Sequence, residues 1–339
     1  MYFDFTDDAK DLAAGAREFL TGEYTPDYVR SVWDADGPRD PSKWTHLAET
    51  GFVGVGVAED FGGLGMGDVE MSLLLEEAGR ANLTEPLLET GAVVAPTIAD
   101  YGSEATKKEW LPRIASGEAI VTVRLGDAPV AVDADIADGL LLEEDGALHL
   151  IGADSFTATQ VDSLDLGRRV FTVEAITSSD TLLSDDADAY ARTFDRAAVA
   201  TAAWLNGIGQ QVLEMSVAYV KEREQFGRPV GSFQAVKHLL AETVLQVETS
   251  RAATWYAAYA VQHDLADRTE AASVAKSFAS DAERLANTNS LQAHAGIGFT
   301  WEHDLHLWLK RGKALEGAYG TASWHRDRIA SLLLDVDQS

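Results

Sequence analysis

The stretch Arg223-Glu224-Gln225-Phe226-Gly227-Arg228-Pro229-Val230-Gly231-Ser232-Phe233-Gln234 joins two long segments of helical apolar spacing. Arg223 carries a permanent charge on a planar fork that matches a phosphate or carboxylate in two-point fashion. Gln225 and Gln234 add amides, and Phe226 and Phe233 add flat apolar rings. Such a set suits a pyrophosphate, with the rings and amides left for a nucleotide base. The same residues also fit a packing role, with Arg223 closing a helix C-terminus and Phe226 and Phe233 filling core. Chemistry alone leaves both readings open.

Outward from this junction, apolar residues recur at helical spacing over 197–222, 233–264 and 269–290. A glycine-containing loop over 293–299 and one or two further helices reach the C-terminus. Long helices with short connections predict an antiparallel bundle over 195–339. Upstream the period shortens. Strand-like runs at 119–123, 140–142, 147–151 and 170–173 alternate with turns such as Glu144-Asp145-Gly146, which predicts a small β-domain over 118–194. Residues 1–117 read as helices, among them 7–20, a short one from Pro41, 69–81, 84–101 and 104–115. Gly51 to Val57 is apolar and β-branched, and Asp68 stands where a helix N-cap is expected. The predicted class is α+β, in the order helical domain, β-domain, helical bundle.

Composition narrows the function. Of 339 residues, 46% are hydrophobic and 24% charged, so the chain folds as a globular protein of about two or three domains. Lys plus Arg is 27 against 55 Asp plus Glu, a net charge of −28, which repels polyphosphates and anionic membranes. There is no cysteine, which removes disulfides, thiolate nucleophiles and Cys-based zinc sites. The acidic start, Met1-Tyr2-Phe3-Asp4, lacks the pattern of a signal peptide, and no apolar run is long enough to span a bilayer. A cytoplasmic protein is expected.

Two further motifs have competing readings. Gly63-x-Gly65-x-Gly67 departs from the G-x-G-x-x-G spacing of dinucleotide-binding turns and reads better as a tight turn. His303 and His306 sit three apart near Glu302 and Asp304. That spacing fits a metal face, but no third ligand is evident, and a polar helix surface is the favoured reading. No metal is expected.

The junction resembles the signature R-x-Q-F-G-x-P-[IV]-G-x-F-Q of the acyl-CoA dehydrogenases, with every fixed position present. Gln292-Ala293-His294-Ala295-Gly296-Ile297-Gly298-Phe299-Thr300 is similar to the family's Q-x-x-G-G-x-G loop, with Ala295 where glycine is usual. Glu59-Asp60-Phe61-Gly62-Gly63-Leu64-Gly65, Glu76-Glu77-Ala78-Gly79-Arg80 and the segment from Trp110 to Glu118 extend the likeness over nearly the whole chain. The family's fold has the same α, β, α-bundle order.

The resemblance implies FAD and a glutamate that removes the proton alpha to a CoA thioester. The family places that glutamate either in a Y-E-G-T motif, where this chain has Ala318-Tyr319-Gly320-Thr321, or on the preceding helix, where it has Ala197. Neither Tyr319 nor Ala197 serves as a base near neutral pH, so no catalytic residue is assigned. Glu316 and Glu302 remain as non-standard alternatives. The flavin-holding T-E-P-x-x-G-S-D segment is replaced by Val123 to Pro129, and the W-I-[TS]-N stretch by Ile151 to Phe156.

What the family uses to hold a neighbour's FAD is retained. By resemblance the cofactor-binding residues are Arg223, Gln225, Phe226, Val230, Phe233, Gln234, Gln292, Ala295 and Gly296. The expectation is a non-catalytic subunit sharing FAD across an interface with a homologous, glutamate-bearing subunit in an α2β2 assembly. This chain is similar to the smaller subunit of the heteromeric actinobacterial dehydrogenases of steroid side chains. The substrate would be held mainly by the partner, and an electron-transfer flavoprotein is the expected acceptor. The alternatives are a homomeric dehydrogenase with an unusual base, and a non-enzymatic scaffold of the same fold.

Overall fold

Three helices, α1 (Asp7–Glu23), α2 (Pro26–Trp33) and α3 (Pro41–Glu49), begin a computed structural model that describes residues 4–35, 39–126 and 129–334. Each start is chemically marked. The side chains of Thr6, Thr25 and Asp40 accept N–H groups of the first turns, and Pro26 and Pro41 open their helices. Met1, Tyr2 and Phe3, and Asp127 and Ala128 of the segment that replaces T-E-P-x-x-G-S-D, lie outside the described residues.

Gly51 to Val57 forms consecutive turns. Gly67, rather than Asp68, caps α4 (Asp68–Ala81): Glu70 accepts the Gly67 N–H at 3.0 Å. Asp68 is already helical, and its carboxylate takes Arg196 Nε at 2.7 Å. A Cβ at Gly67 would lie 2.3 Å from the end of the Gln262 side chain, which would have to move from its bond with the Val69 N–H. The expected helix over 84–101 is a π-helical segment, Leu88–Val94, running into α5 (Ala95–Tyr101); α6 (Glu104–Ala115) follows.

The β-domain holds more strands than expected. β1 (Val121–Arg124), β3 (Gly139–Glu144), β4 (Ala147–Gly152) and β7 (Leu182–Ser184) form one sheet in the order β1-β3-β4-β7, with β1 and β3 parallel. β2 (Val130–Val132), β6 (Val170–Ala175) and β5 (Phe156–Val161) form an antiparallel second sheet. Alternation along β3 divides the core: Leu140 and Leu142 meet Ala131, Phe171 and Val173 between the sheets, whereas Leu141 joins the main helical core.

The C-terminal helices are α7 (Ala187–Glu222), α8 (Gln234–Gln262), α9 (Arg268–His294), α10 (Leu305–Glu316) and α11 (Ala322–Leu334). Helix α7 starts at Ala187, inside the stretch read as β-domain. Its first turns carry Asp188, Arg192, Asp195 and Arg196, which hide the apolar period because they are held in ion pairs with Arg268, Asp100, Arg328 and Asp68. α7 packs on α4, α8 and α9. The α4–α7 crossing is close enough that a Cβ at Gly79 would lie 2.1 Å from the Trp204 carbonyl, and one at Gly207 1.9 Å from that of Glu76. No helix among the described residues is long and apolar enough to cross a membrane.

Candidate cofactor-binding groove

Helix α7 ends at Arg223, whose N–H donates to the Tyr219 carbonyl at 2.8 Å. A short hairpin follows, β8 (Glu224–Gln225) and β9 (Arg228–Pro229), closed by Phe226 and Gly227. Both have positive φ, +55° and +76°, as a two-residue turn matched to strand twist requires. The turn puts the Phe226 ring in solvent, 92% exposed, with its edge toward Phe233 at 6.1 Å. The packing reading therefore fails for Phe226. Phe233 is half-buried beneath the Arg228 guanidinium, 4.0 Å from its ring centre.

On the α9 side, the Ala295 N–H donates to the Gln292 carbonyl as the helix ends. Between this end and the hairpin lies an open groove of about 670 Å³. It gathers Arg223, Gln225, Val230, Gln292, Ala295 and Gly296 of the expected set, and leaves Phe226, Phe233 and Gln234 outside its lining. Gln234 instead lies 3.3 Å from His238. Val236, Leu239 and Ile297, together with Tyr219, supply walls that the sequence reading missed. Their signal was helical spacing: Tyr219 lies one turn before Arg223, and Val236 and Leu239 share a face of α8.

Arg223 is exposed, and among the described residues its guanidinium has no ion pair or hydrogen bond. Every other arginine engages a carboxylate, a backbone carbonyl or an aromatic ring, as with Arg124 and Val173 or Arg228 and Phe233. In a chain with 55 carboxylates, one idle guanidinium beside two groove amides is a donor set held ready for an acceptor-rich anion. The groove's chemistry fits a dinucleotide: fixed charge and amides at the lip, apolar side chains behind.

The two positions where the family carries its base give a different picture. Ala197 is fully buried in the main core. Tyr319 is half-buried near Phe194, with ring centres 6.5 Å apart. Burial and the Glu89 carboxylate push its phenol upward, with Arg168 opposing in part. Glu89 is itself buried and paired with Arg168 at 2.8 Å. Glu316 is tied to Lys313 and lies 3.7 Å from Arg284, rather than being a freely solvated surface group. Glu302 is exposed in the turn before α10, its carboxyl held low by hydrogen bonds from its own N–H and Thr300.

The histidine pair is a packing element. His306 is buried against Trp33, with rings stacked at 5.4 Å, and also touches Trp301. His303 precedes α10 and accepts the Leu305 N–H. Neither is on a polar helix surface, and no group of metal-ligating side chains gathers among the described residues.

One backbone pattern links the motifs. The described non-glycine residues with positive φ are Asn82, Asp133, Asp145, Asp264, Phe226, Ala295 and Tyr319. Asn and Asp tolerate that region. The other three fall one in each of the signature turns.

Family models of the acyl-CoA dehydrogenase N-terminal and C-terminal domains match residues 6–118 and 188–334. The chain belongs to the acyl-CoA dehydrogenase family. It is 35% identical over 291 residues to acyl-CoA dehydrogenase IpdE2 of Mycolicibacterium smegmatis, covering 85% of this chain and 86% of that protein. Among solved structures it is similar to the ChsE4-ChsE5 complex of Mycobacterium tuberculosis, with TM-score 0.90 and 25% identity over 98% of this chain and 99% of that one. A variant of the Tcur3481-Tcur3483 steroid ACAD gives TM-score 0.89 and 28% identity over the same shares.

Proposed function

We propose that this chain is the non-catalytic subunit of a heterotetrameric, FAD-dependent acyl-CoA dehydrogenase acting on a steroid side-chain CoA thioester. In this role it completes the FAD site of a glutamate-bearing partner subunit. The observation that carries the reading is the free guanidinium of Arg223, set on one groove with Gln225 and Gln292. Bound there, FAD supplies the hydride acceptor. Arg223 and the two glutamines would hold its pyrophosphate, and Val230, Val236, Leu239 and Ile297 would supply apolar walls for its base.

Distance favours sharing. Ala197 lies on the unbroken α7 and Arg223 caps its C-terminus, about 39 Å away at 1.5 Å per residue. That exceeds the span of a dinucleotide cofactor, so this groove serves a reaction centre other than the one Ala197 and Tyr319 would border. At its own centre the chain offers a buried ion pair, Arg168–Glu89, and, among the described residues, no free carboxylate beside Tyr319. The two similar heteromeric structures, one described as a steroid ACAD, support a partner subunit and the substrate class.

The test is co-expression with a homologous subunit that carries the glutamate. The chain alone is expected to purify colourless and inactive, and the complex yellow and active on steroid-CoA thioesters. A flavin-loaded, active preparation of this chain by itself would sink the reading and leave the homomeric alternative.

A further inference from the structure

A second groove, of about 500 Å³, lies between the end of α7 and the start of α8 and shares only Val236 with the cofactor groove. Val217, Val220, Val236 and Leu240 make it apolar, and Lys221 of α7 and Lys237 of α8 stand beside them. Both lysines are exposed. Among the described residues neither makes an ion pair or hydrogen bond, not even with the neighbouring Glu222 and Glu224. Lys10, Lys43 and Lys313, by contrast, each pair with a carboxylate. Two free ammonium groups flanking an apolar floor match an occupant that brings apolar side chains and carboxylates together.

The chain itself carries such a segment. Helix α11 exposes Leu332, Leu333 and Leu334 at its end, by 41%, 59% and 75%, and the sequence continues, outside the described residues, as Asp335-Val336-Asp337. Adjacent exposed leucines mark a surface that meets a partner. The groove of the same chain is out of reach. Arg328 ties α11 to Asp195 of α7 and Ser273 of α9. Val220 lies about 38 Å along α7 from Asp195. From Arg328 the helix runs about 9 Å to Leu334, and Asp337 lies within about 10 Å of Leu334.

We propose that the groove seats the α11 end of a second copy of this chain, with Leu333 and Leu334 on the apolar floor and Asp335 and Asp337 beside Lys221 and Lys237. Two copies related by a twofold axis make the contact reciprocally. The inference is independent of the cofactor reading, since neither Arg223 nor Gln292 takes part.

Sedimentation of the isolated full chain over a range of concentrations reads the contact. The parent is expected to dimerise reversibly. Lys221→Asp with Lys237→Asp is expected to weaken association about tenfold, and Asp335→Lys with Asp337→Lys to do the same. The four changes together restore it, because the charges are then exchanged across the contact. Leu333→Asp with Leu334→Asp abolishes it. Thermal midpoints are expected to stay at the parental value, which separates loss of contact from loss of fold. A monomeric parent, charge-reversed chains that associate like the parent, or a fourfold variant no better than either pair overturns the proposal. A groove variant that still self-associates but no longer joins a homologous subunit also overturns it, because the groove then belongs to that subunit.

Discussion

Arg168 Nη2 donates to Glu89 Oε1 at 2.8 Å, joining the loop before β6 to the π-helical segment beside Tyr319. A carboxylate installed at Tyr319 would face an existing carboxylate already matched by its cation. Tyr319→Glu is therefore expected to leave the isolated chain without dehydrogenase activity and to lower its thermal midpoint. Like-charge crowding and burial raise the new group's pKa instead of making it a useful base. Thioester-dependent flavin bleaching by the isolated variant, supplied with FAD, would contradict this.

The Arg223 side chain makes no ion pair or hydrogen bond among the described residues. Arg223→Ala is expected to shift stability by less than about 0.5 kcal/mol, as for other exposed sites. In the complex it removes a charge-assisted bond worth about 1.5–3 kcal/mol, so flavin affinity falls roughly 10- to 150-fold. Denaturation of the chain and flavin titration of the complex separate the two effects. Equal losses in both would make Arg223 a structural residue.

Glu283 is buried on α9 against Gly312, where burial and the Glu316 carboxylate push its carboxyl up to about 8 from 4.5. Between those values the folded chain holds a proton that the unfolded chain has released. Its contribution is full below pH 4.5 and lost as pH rises through about 8. Glu283→Gln removes this dependence. The variant should gain thermal stability relative to the parent as pH rises from about 5 to about 8. Buried Lys276, its amine pushed down to about 7, feels the Glu283 charge in the same window, so the comparison is made in a Lys276→Met background. A pH-independent difference would mean that Glu283 does not take up a proton on folding.

The α4–α7 crossing leaves no room for a methyl at Gly207, because the obstacle is the Glu76 backbone. Gly207→Ala is expected to cost about 1–3 kcal/mol through forced separation of the helices. That outweighs the roughly 1 kcal/mol helix-propensity gain of alanine, and chemical denaturation measures the balance. A stabilised variant would show that the helices part freely.

The long helices were legible because their buried faces follow the helical period, as in α8, and β3 because its Leu140-Leu141-Leu142 run is apolar on both faces. The strands that escaped are edge or polar elements: β2 and β7 have three residues each, and β5 exposes Thr157, Thr159 and Gln160. The first turns of α7 escaped because buried arginines and aspartates look like surface until their partners are seen. The groove lip was legible as a motif, whereas its apolar wall was not, since Tyr219, Leu239 and Ile297 come from separate elements. The Arg168–Glu89 pair joins residues far apart in sequence, and local pattern carries no trace of it. His306 was misread because its stacking partner, Trp33, belongs to α2.

Helix α7 runs 36 residues without proline, about 54 Å end to end. Counting residues along it is equivalent to setting both an angle and a length. One inserted residue between Ala197 and Arg223 would advance the groove lip by about 1.5 Å and swing it through roughly 100°. The guanidinium would then point away from α9, though no side chain had changed. The helix thus acts as a ruler with a keyed end, and indels there should be tolerated far less well than substitutions.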